Sequence, residues 1–562
     1  MKVKNSIIAG CLLILSFGSM KPLFSSGFFP MHDDAQVARV IVMARALKHG
    51  QFPVRIVADL GYGYGYPLFN FYGPLPYYVG GLIHLLGIDA LTATKIMIGI
   101  GIITGTMAMY LCSSLVFGTL GGLVSAILFT YFPYRAVQLY VRGAVGELWA
   151  ASFMPLLLFG ILKITKKEVS GVYIAGLSIA AIILSHTVFG YISIGGIGGM
   201  VLLLYLFSIL CHKKNLQSFG FSLFASMICA LGITAFFWIP ALTEMSFTNV
   251  QKVIGETADY KDHFVCLPQL WDSQWGFGGS APGCADGLSF KLGKFHIFYF
   301  FLAILLWLFS KERERRLSII LISVVAASGL LIFFMLRASH GAWDALPLFS
   351  FIQYPWRFLG PLGVCMGFVP GYVLYKKKAI RGVILLSLIG GSIVILNHKL
   401  FSPQYLYSAS GVTFGTTEEL RWRASKVSDE YLPRGLIIPD TVSEVVSGRV
   451  IGNEYMKVTK LIETETEGVY EIIAGKDQKL KLNMAFYPGW TYSINGIYVK
   501  PEVVRGQPSV ILSMGTSFLK MEFRNTPVRV LGNGISCAFL IGIVVYFFYG
   551  KKIISHHRYP GL

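Results

Sequence analysis

The sequence predicts an all-α polytopic membrane bundle of about twelve transmembrane helices, with an extracytoplasmic β-sandwich domain near the C terminus. Three observations predict it. The 562 residues are 54% hydrophobic and only 14% charged, where a soluble protein carries roughly 25% charged residues; mean hydropathy is +0.62. The apolar residues gather into about a dozen runs of roughly 17 to 25 residues, the length that crosses ~30 Å of hydrocarbon. Near the C terminus the pattern changes to an alternation of apolar and polar residues. An ordinary soluble enzyme, a coiled coil and a disordered tail are excluded.

The net charge of +19 could point to nucleic acid. A polytopic protein, however, gathers Lys and Arg in its cytoplasmic loops, and the basic residues here fall between apolar runs: Lys163, Lys166 and Lys167; Lys213 and Lys214; Lys311, Arg313, Arg315 and Arg316; Lys376, Lys377, Lys378 and Arg381; Lys551 and Lys552. With the N terminus inside, spans near 6–24, 92–116, 119–134, 146–164, 170–187, 190–210, 217–240, 293–310, 317–336, 356–375, 379–397 and 530–549 put every cluster inside. No nucleic-acid partner is expected, and both termini are expected in the cytoplasm of a multi-pass cell-membrane protein. The domains are then a bundle over 1–397 with a first outside loop 25–91 and a loop 241–292, an outside β-rich domain over 398–529, and a final span and cytoplasmic tail over 530–562.

Along the chain, Ser6–Phe24 follows Lys2 and Lys4, lacks a small-residue cleavage site and reads as an uncleaved first span. Val37, Val40, Ile41, Ala44 and Leu47 then share one helical face with Arg39, Arg45 and Lys48 largely off it, an amphipathic helix lying on the membrane. The apolar stretch 72–87 is read as interfacial or re-entrant, because a crossing there would invert every later basic cluster. In the outside domain Leu480, Leu482 and Met484, and then Leu519, Met521 and Phe523, alternate with polar residues. Asn495 and Gly496, between Ile494 and Ile497, make a two-residue hairpin turn. Of eight cysteines, Cys11, Cys112, Cys211, Cys229, Cys365 and Cys537 lie in or beside apolar runs and act as small hydrophobes. Cys266 and Cys284 share one polar loop, where a disulfide requires an oxidising compartment.

Candidate chemistry concentrates in the outside loops. His32, Asp33 and Asp34 precede the amphipathic helix: the carboxylates either cap that helix or supply a general base toward an acceptor hydroxyl. The Gly-Tyr repeat over 61–66 and the tyrosines that follow are either an interfacial aromatic belt or a platform for sugar rings or polyprenyl tails. The repeat lacks the ending of a phosphate loop. Arg142 and Glu147 place a cation and an anion five residues apart at a membrane boundary, either a simple ion pair or a functional pair. His186 and Glu244 end spans on the outside, and Arg337, His340, Trp356 and Arg357 gather around the loop 337–355. An arginine fork suits a lipid phosphate, although snorkelling toward headgroups is the commoner use. No metal-ligand spacing is present.

These residues in combination resemble a known family. His32-Asp33-Asp34, the Gly-Tyr-Pro-Leu-Phe-Asn-Phe-Tyr-Gly-Pro-Leu-Pro-Tyr-Tyr stretch over 65–78, Tyr140-Val-Arg-Gly-Ala, Gln353-Tyr-Pro-Trp-Arg-Phe and Asp429-Glu-Tyr-Leu-Pro resemble the bacterial 6-pyruvoyl-tetrahydropterin-synthase-related membrane proteins. Phe486-Tyr-Pro-Gly-Trp is similar to the end domain of the YfhO-like membrane proteins. Nothing here resembles the histidine cluster of the soluble pterin synthases. The resemblance implies a C-type glycosyltransferase-like architecture and transfer, with inversion, of a sugar from a polyprenyl-phosphate-linked donor to a glycan or protein acceptor on the outer face of the membrane lipid. The acidic residue opening the first loop of such enzymes corresponds to Asp33, with Asp34 where many have glutamate; many also have an acidic residue in the second outside loop, where this chain has Arg142 and then Glu147. The resemblance thus implies Asp33 or Asp34 as catalytic base and Arg142, Arg337 or Arg357 at the phosphate. No cofactor is called for, and a divalent metal has no support in the spacing. Two alternatives stand beside this reading: a lipid or glycan transporter, and a non-catalytic membrane scaffold whose β-domain binds glycan or a partner protein.

Overall fold

The computed structural model describes residues 2–211, 214–250, 259–311, 313–377 and 379–546. Lys213, Lys378, Lys551 and Lys552, and the stretch 251–258 of the loop 241–292, lie outside them. Among the described residues nine helices are long and apolar enough to cross a membrane. The main helices are α1 (Lys2–Met20), α2 (Gln36–Lys48), α3 (Leu75–Leu85), α4 (Ala90–Thr130), α5 (Val145–Ile164), α6 (Val169–Ser185), α7 (Thr187–Cys211), α8 (Lys214–Ile233), α9 (Ala235–Glu244), α10 (Lys294–Leu308), α11 (Arg315–Met335), α12 (Pro355–Leu374, with 3-10 turns at both ends), α13 (Ala379–Asn397) and α14 (Pro527–Val545).

Helix α4 has 41 residues, roughly 60 Å of straight helix and twice the hydrocarbon thickness. It is not straight. Gly118 (φ 76°, ψ −179°) breaks it, and the halves fold back so that the Thr106 and Thr130 hydroxyls meet at 2.7 Å. With that break, and with the shorter α6 and α10, a helix occupies each of the twelve predicted runs. Helix α12 is the most deeply buried of the spans. Its glycines let neighbours approach closely: a Cβ on Gly363 would meet the Phe132 ring at 2.7 Å, and one on Gly367 the Phe129 backbone at 3.0 Å or just above, the small-residue packing expected where lipid and protein are equally apolar.

One segment differs from the sequence reading. Helix α2 does not lie on the membrane: nearly all of it is buried, Arg39 included, under α3 and the first half of α4. Neither Asp33 nor Asp34 caps it, since its N-cap is Ala35 with no side-chain bond. Helix α3, at eleven residues or roughly 16 Å, is too short to cross and packs against α2, with Gly80 and Gly81 set against Val40 and Met43.

The β region is an antiparallel sandwich. β1 (Met456–Glu463), β2 (Glu467–Ala474), β3 (Gln478–Lys481), β4 (Trp490–Ile494), β5 (Ile497–Val499), β6 (Glu502–Val504), β7 (Gln507–Leu512) and β8 (Gly515–Phe523) form one sheet of order β1-β2-β8-β4-β5 and a second of order β3-β7-β6. Leu480, Leu482, Met484, Leu519 and Met521 fill its core, as their alternation predicts. Asn495 and Gly496 both have positive φ and join β4 to β5 with Ile494 opposite Ile497. Residues 398–455 contain no strand; Phe414, Leu420, Leu432 and Leu436 pack into the core of the bundle.

A buried clamp holds sandwich and bundle together. Glu244, ending α9, accepts from Arg529 Nη2 at 2.9 Å and Nε at 3.1 Å, in the first turn of α14. It also accepts from Asn70 Nδ2 (2.9 Å), Tyr487 OH (3.1 Å) and Thr526 Oγ1 (2.9 Å). Arg55 adds bonds to Asn70, the Phe236 carbonyl and Asn533. Removing one partner of such a pair strands the other in low dielectric. Glu244→Gln is therefore expected to destabilise by about 3–5 kcal/mol, read as a fall in the thermal unfolding midpoint in detergent, with Glu244→Leu/Arg529→Met recovering part of it.

Candidate functional site

The loop after α1 and the turn after α4 are one unit. The backbone N–H groups of His32 and Asp33 donate to the carbonyls of Val141 (3.1 Å) and Arg142 (2.9 Å), and Gln36 Nε2 spans the Asp33 and Gly143 carbonyls. Above them opens a cavity of about 560 Å³ lined by residues from both, from the ends of α5 and α6, from the start of α12 and from the loop before α10.

Asp33 stands on one wall. Its Oδ2 accepts from Arg39 Nη1 at 2.8 Å and Tyr72 OH at 3.3 Å, and the Arg39 guanidinium sits 4.4 Å from the Tyr72 ring centre. Asp33 Oδ1 receives no hydrogen bond from a described residue. Glu430, whose carboxyl burial pushes up, lies within electrostatic reach of Arg39 and Asp33.

The other wall is cationic. Glu147 is fully buried and accepts from Arg142 Nη1 (2.5 Å) and Nη2 (3.0 Å), Arg357 Nε (3.2 Å) and Tyr134 OH (3.1 Å), with His186 Nε2 at 3.8 Å. The Arg142 guanidinium lies 4.5 Å from the Trp356 ring centre. Arg357 Nη1 is anchored by the Ile352 carbonyl and by Gln353. Two guanidinium groups thus face one carboxylate, which leaves net positive charge at this wall.

The loop over 263–292 closes the cavity. Cys266 and Cys284 are joined by a disulfide, Cα to Cα 5.6 Å; Ser280 Oγ takes the indole N–H of Trp356 (3.1 Å) and meets His263 Nδ1 (2.9 Å). His32 Nε2 lies 2.8 Å from the Phe277 carbonyl.

His32, Asp33, Arg142, Glu147, His186, Trp356 and Arg357 therefore line one cavity. Three other expected site residues do not line it. Asp34 turns toward Glu419 and Tyr407, and burial, then Glu419, then Asp33, push its carboxyl up to about 7. Glu244 is consumed by the clamp with Arg529. Arg337 is exposed in the turn after α11. Most of the aromatic stretch packs inside the protein: Tyr62 and Tyr66 are buried, Tyr62 against Trp422, and Phe71 stacks on Tyr431, while Tyr72 lines the cavity. Cavity residues not singled out from the sequence include His263 and Ser280, and Arg39, which holds Asp33, was not named as a site residue; Tyr72 and Tyr354 stood out only as members of motif stretches. Arg39 carried a signal, since a cation amid Val37, Val40, Ile41 and Met43 needs a carboxylate once that helix is buried. Among the described residues no group of three or more His, Cys, Asp or Glu is arranged to hold a metal ion.

Residues 69–264 match the sequence model of the 6-pyruvoyl-tetrahydropterin synthase related domain, a membrane protein. This is the family that the sequence motifs resemble, and the chain is a membrane protein. An uncharacterised protein of Lactococcus lactis subsp. cremoris (strain MG1363) is 28% identical over 245 residues, 42% of this chain and 39% of its own length. The chain thus spans well under half of that relative. Among solved structures, the Archaeoglobus fulgidus oligosaccharyltransferase in the apo form aligns at TM-score 0.44 and 14% identity over 79% of this chain and 62% of its own. The arabinofuranosyltransferase AftD from Mycobacteria aligns at TM-score 0.45 and 14% identity over 73% of this chain and 28% of its own. ArnT from Cupriavidus metallidurans bound to undecaprenyl phosphate aligns at TM-score 0.37 and 14% identity over 70% and 64%.

Asp34 gives the site a pH signature. Its folded carboxyl titrates near 7 against an ordinary 3.8, so the folded state binds its proton more tightly than the unfolded state. The stabilisation is fully present below about pH 4 and is lost as pH rises to about 7. Asp34→Asn is expected to flatten the fall in unfolding midpoint across that window and to stabilise at pH 8 by on the order of 2 kcal/mol after solvent screening.

Proposed function

We propose that this chain transfers a sugar from a polyprenyl-phosphate-linked donor to a hydroxyl acceptor, glycan or protein, on the extracytoplasmic face of the membrane. Both termini would be cytoplasmic and the sandwich outside, with domains near 1–397, 398–529 and 530–562. One observation carries the reading: a single cavity has the Asp33 carboxylate on one wall and the Arg142 and Arg357 guanidinium groups on the other.

In this mechanism the acceptor oxygen attacks the anomeric carbon and inverts it. The carbon–oxygen bond to phosphate breaks, its electron pair stays on the phosphate oxygen, and the acceptor proton passes to Asp33. Arg39 holds Oδ2 and aligns the carboxylate, while Oδ1 takes the proton. Arg142 and Arg357 stabilise the charge that develops on the leaving phosphate. Glu147 sets their position and balances one of the two cations. Asp34 takes no part, because it does not line the cavity.

Reconstituted protein in lipid nanodiscs, given a panel of radiolabelled polyprenyl phosphate sugars, is expected to release free polyprenyl phosphate. Asp33→Asn should slow release by roughly 10²-fold or more, Arg357→Gln should weaken it, and Asp34→Asn should leave it within a few-fold of wild type. Release unaffected by Asp33→Asn would overturn the assignment of the base. Movement of labelled lipid across the bilayer without bond cleavage would support the transporter instead.

A further inference from the structure

We propose that the opposite end of the bundle binds the phosphate headgroup of an anionic membrane lipid. Helix α5 carries Glu147 in its first turn and ends at Ile164, roughly 26 Å away. Just beyond that end is a second cavity, of about 160 Å³, between α4, α5, α11 and the end of α12. It is independent of the site described above.

Its walls are of two kinds. Leu115, Leu162, Leu317 and Ile320 form an apolar floor. Lys166 and Arg316 stand at the rim. The one carboxylate there, Glu314, is taken up by Lys376 Nζ at 2.8 Å and Tyr375 OH at 2.9 Å. Arg316 spends a single Nη2 bond on Thr165 Oγ1 (3.1 Å). Among the described residues the Lys166 ammonium makes no hydrogen bond or contact ion pair; Glu168 lies within its electrostatic reach but is paired with Lys163. The rim is therefore cationic after its own ion pair is counted. Helix α11 also begins here without a side-chain cap on its first turn, which adds the positive end of its dipole.

The occupant is a lipid rather than a soluble phosphate because the apolar floor runs on into exposed apolar surface. Leu111 of α4 and Ile319 and Ile322 of α11 are each 46–56% exposed, on the same helices and within about two turns of the cavity. An acyl chain along them would leave its phosphate between Lys166 and Arg316. Basic pockets between membrane helices favour anionic headgroups by about 1 kcal/mol per basic residue, or about five-fold in affinity each.

The test is native mass spectrometry of the full chain in neutral detergent, titrated separately with phosphatidylglycerol, phosphatidylcholine of the same acyl chains, and inorganic phosphate. Phosphatidylglycerol is expected to bind tightest, with its dissociation constant raised about five-fold by Lys166→Gln or Arg316→Gln and about thirty-fold by both. Lys457→Gln/Lys460→Gln on β1 removes the same charge and is expected to change nothing. Unchanged affinity in the Lys166→Gln/Arg316→Gln variant, an equal loss in the β1 control, or displacement of the lipid by millimolar inorganic phosphate would each overturn the proposal. Should the double variant fail to fold, a photoactivatable phosphatidylglycerol on the wild-type chain decides: cross-links within 111–120, 162–166 or 314–322 support the site, and cross-links confined elsewhere overturn it.

Discussion

The buried carboxylate of Glu147 is the constraint on which the cavity depends. A fully desolvated anion is tolerable only when several donors meet it, and here Arg142, Tyr134 and Arg357 supply them, with the His186 ring beside them at 3.8 Å. Arg142 lies in the turn after α4, Tyr134 at the start of that turn, His186 between α6 and α7, and Arg357 at the start of α12. Each approaches because Glu147 is there, and their side chains then define one wall. Arg142 also presents the carbonyl that receives the Asp33 N–H. The position of the opposite wall thus follows from the same ion pair.

Three carboxylates in and beside the cavity occupy three electrostatic situations. Glu147 faces two guanidinium groups and is committed to holding them. Asp33 faces one, through a single oxygen, and its other oxygen receives no hydrogen bond from a described residue. Asp34 faces none, and has Glu419 and Asp33 for neighbours. Adjacent identical residues therefore diverge because the chain turns between them: Asp33 toward Arg39, Asp34 toward the segment that leads into the sandwich.

Much of this was legible in the sequence. The spans follow from apolar run length and the hairpin at Asn495 and Gly496 from turn chemistry. His32, Asp33, Arg142, Glu147, His186, Trp356 and Arg357 stood out because polar groups at membrane boundaries need a reason to be there. What was not legible depends on tertiary burial. The periodicity of α2 is that of a helix with one wet face, and only the packing of α3 against it and the pairing of Arg39 with Asp33 show that the polar face is largely buried, with Arg45 and Lys48 left toward solvent. The Gly-Tyr repeat has the composition of a membrane belt, yet positive φ at Gly61, Tyr62, Gly63 and Gly65 coils it inward against Trp422 and the β region. Glu244 ends a span as a site residue would. Its partner Arg529 is 285 residues away, a pairing that no local pattern encodes.

The stretch that follows the repeat ties the sandwich to the cavity. Asn70 donates to Glu244 in the clamp that fixes α14. Phe71 enters the hydrophobic core of the sandwich beside Tyr487 and stacks on Tyr431 at 5.2 Å. Tyr72 donates to the carboxylate of Asp33. Three consecutive residues thus connect the last helix, the β-domain and the cavity wall, and a short helical turn over Leu68–Phe71 holds them in a fixed relation. A displacement of the sandwich relative to the bundle would move Phe71, and the adjoining peptide would carry Tyr72 with it. Glu430, next to Tyr431, makes the same connection from the other side by reaching toward Arg39 and Asp33. The sandwich is therefore part of what holds Asp33 in place, and the cavity and the β-domain form one mechanical unit rather than a site with a separate appendage.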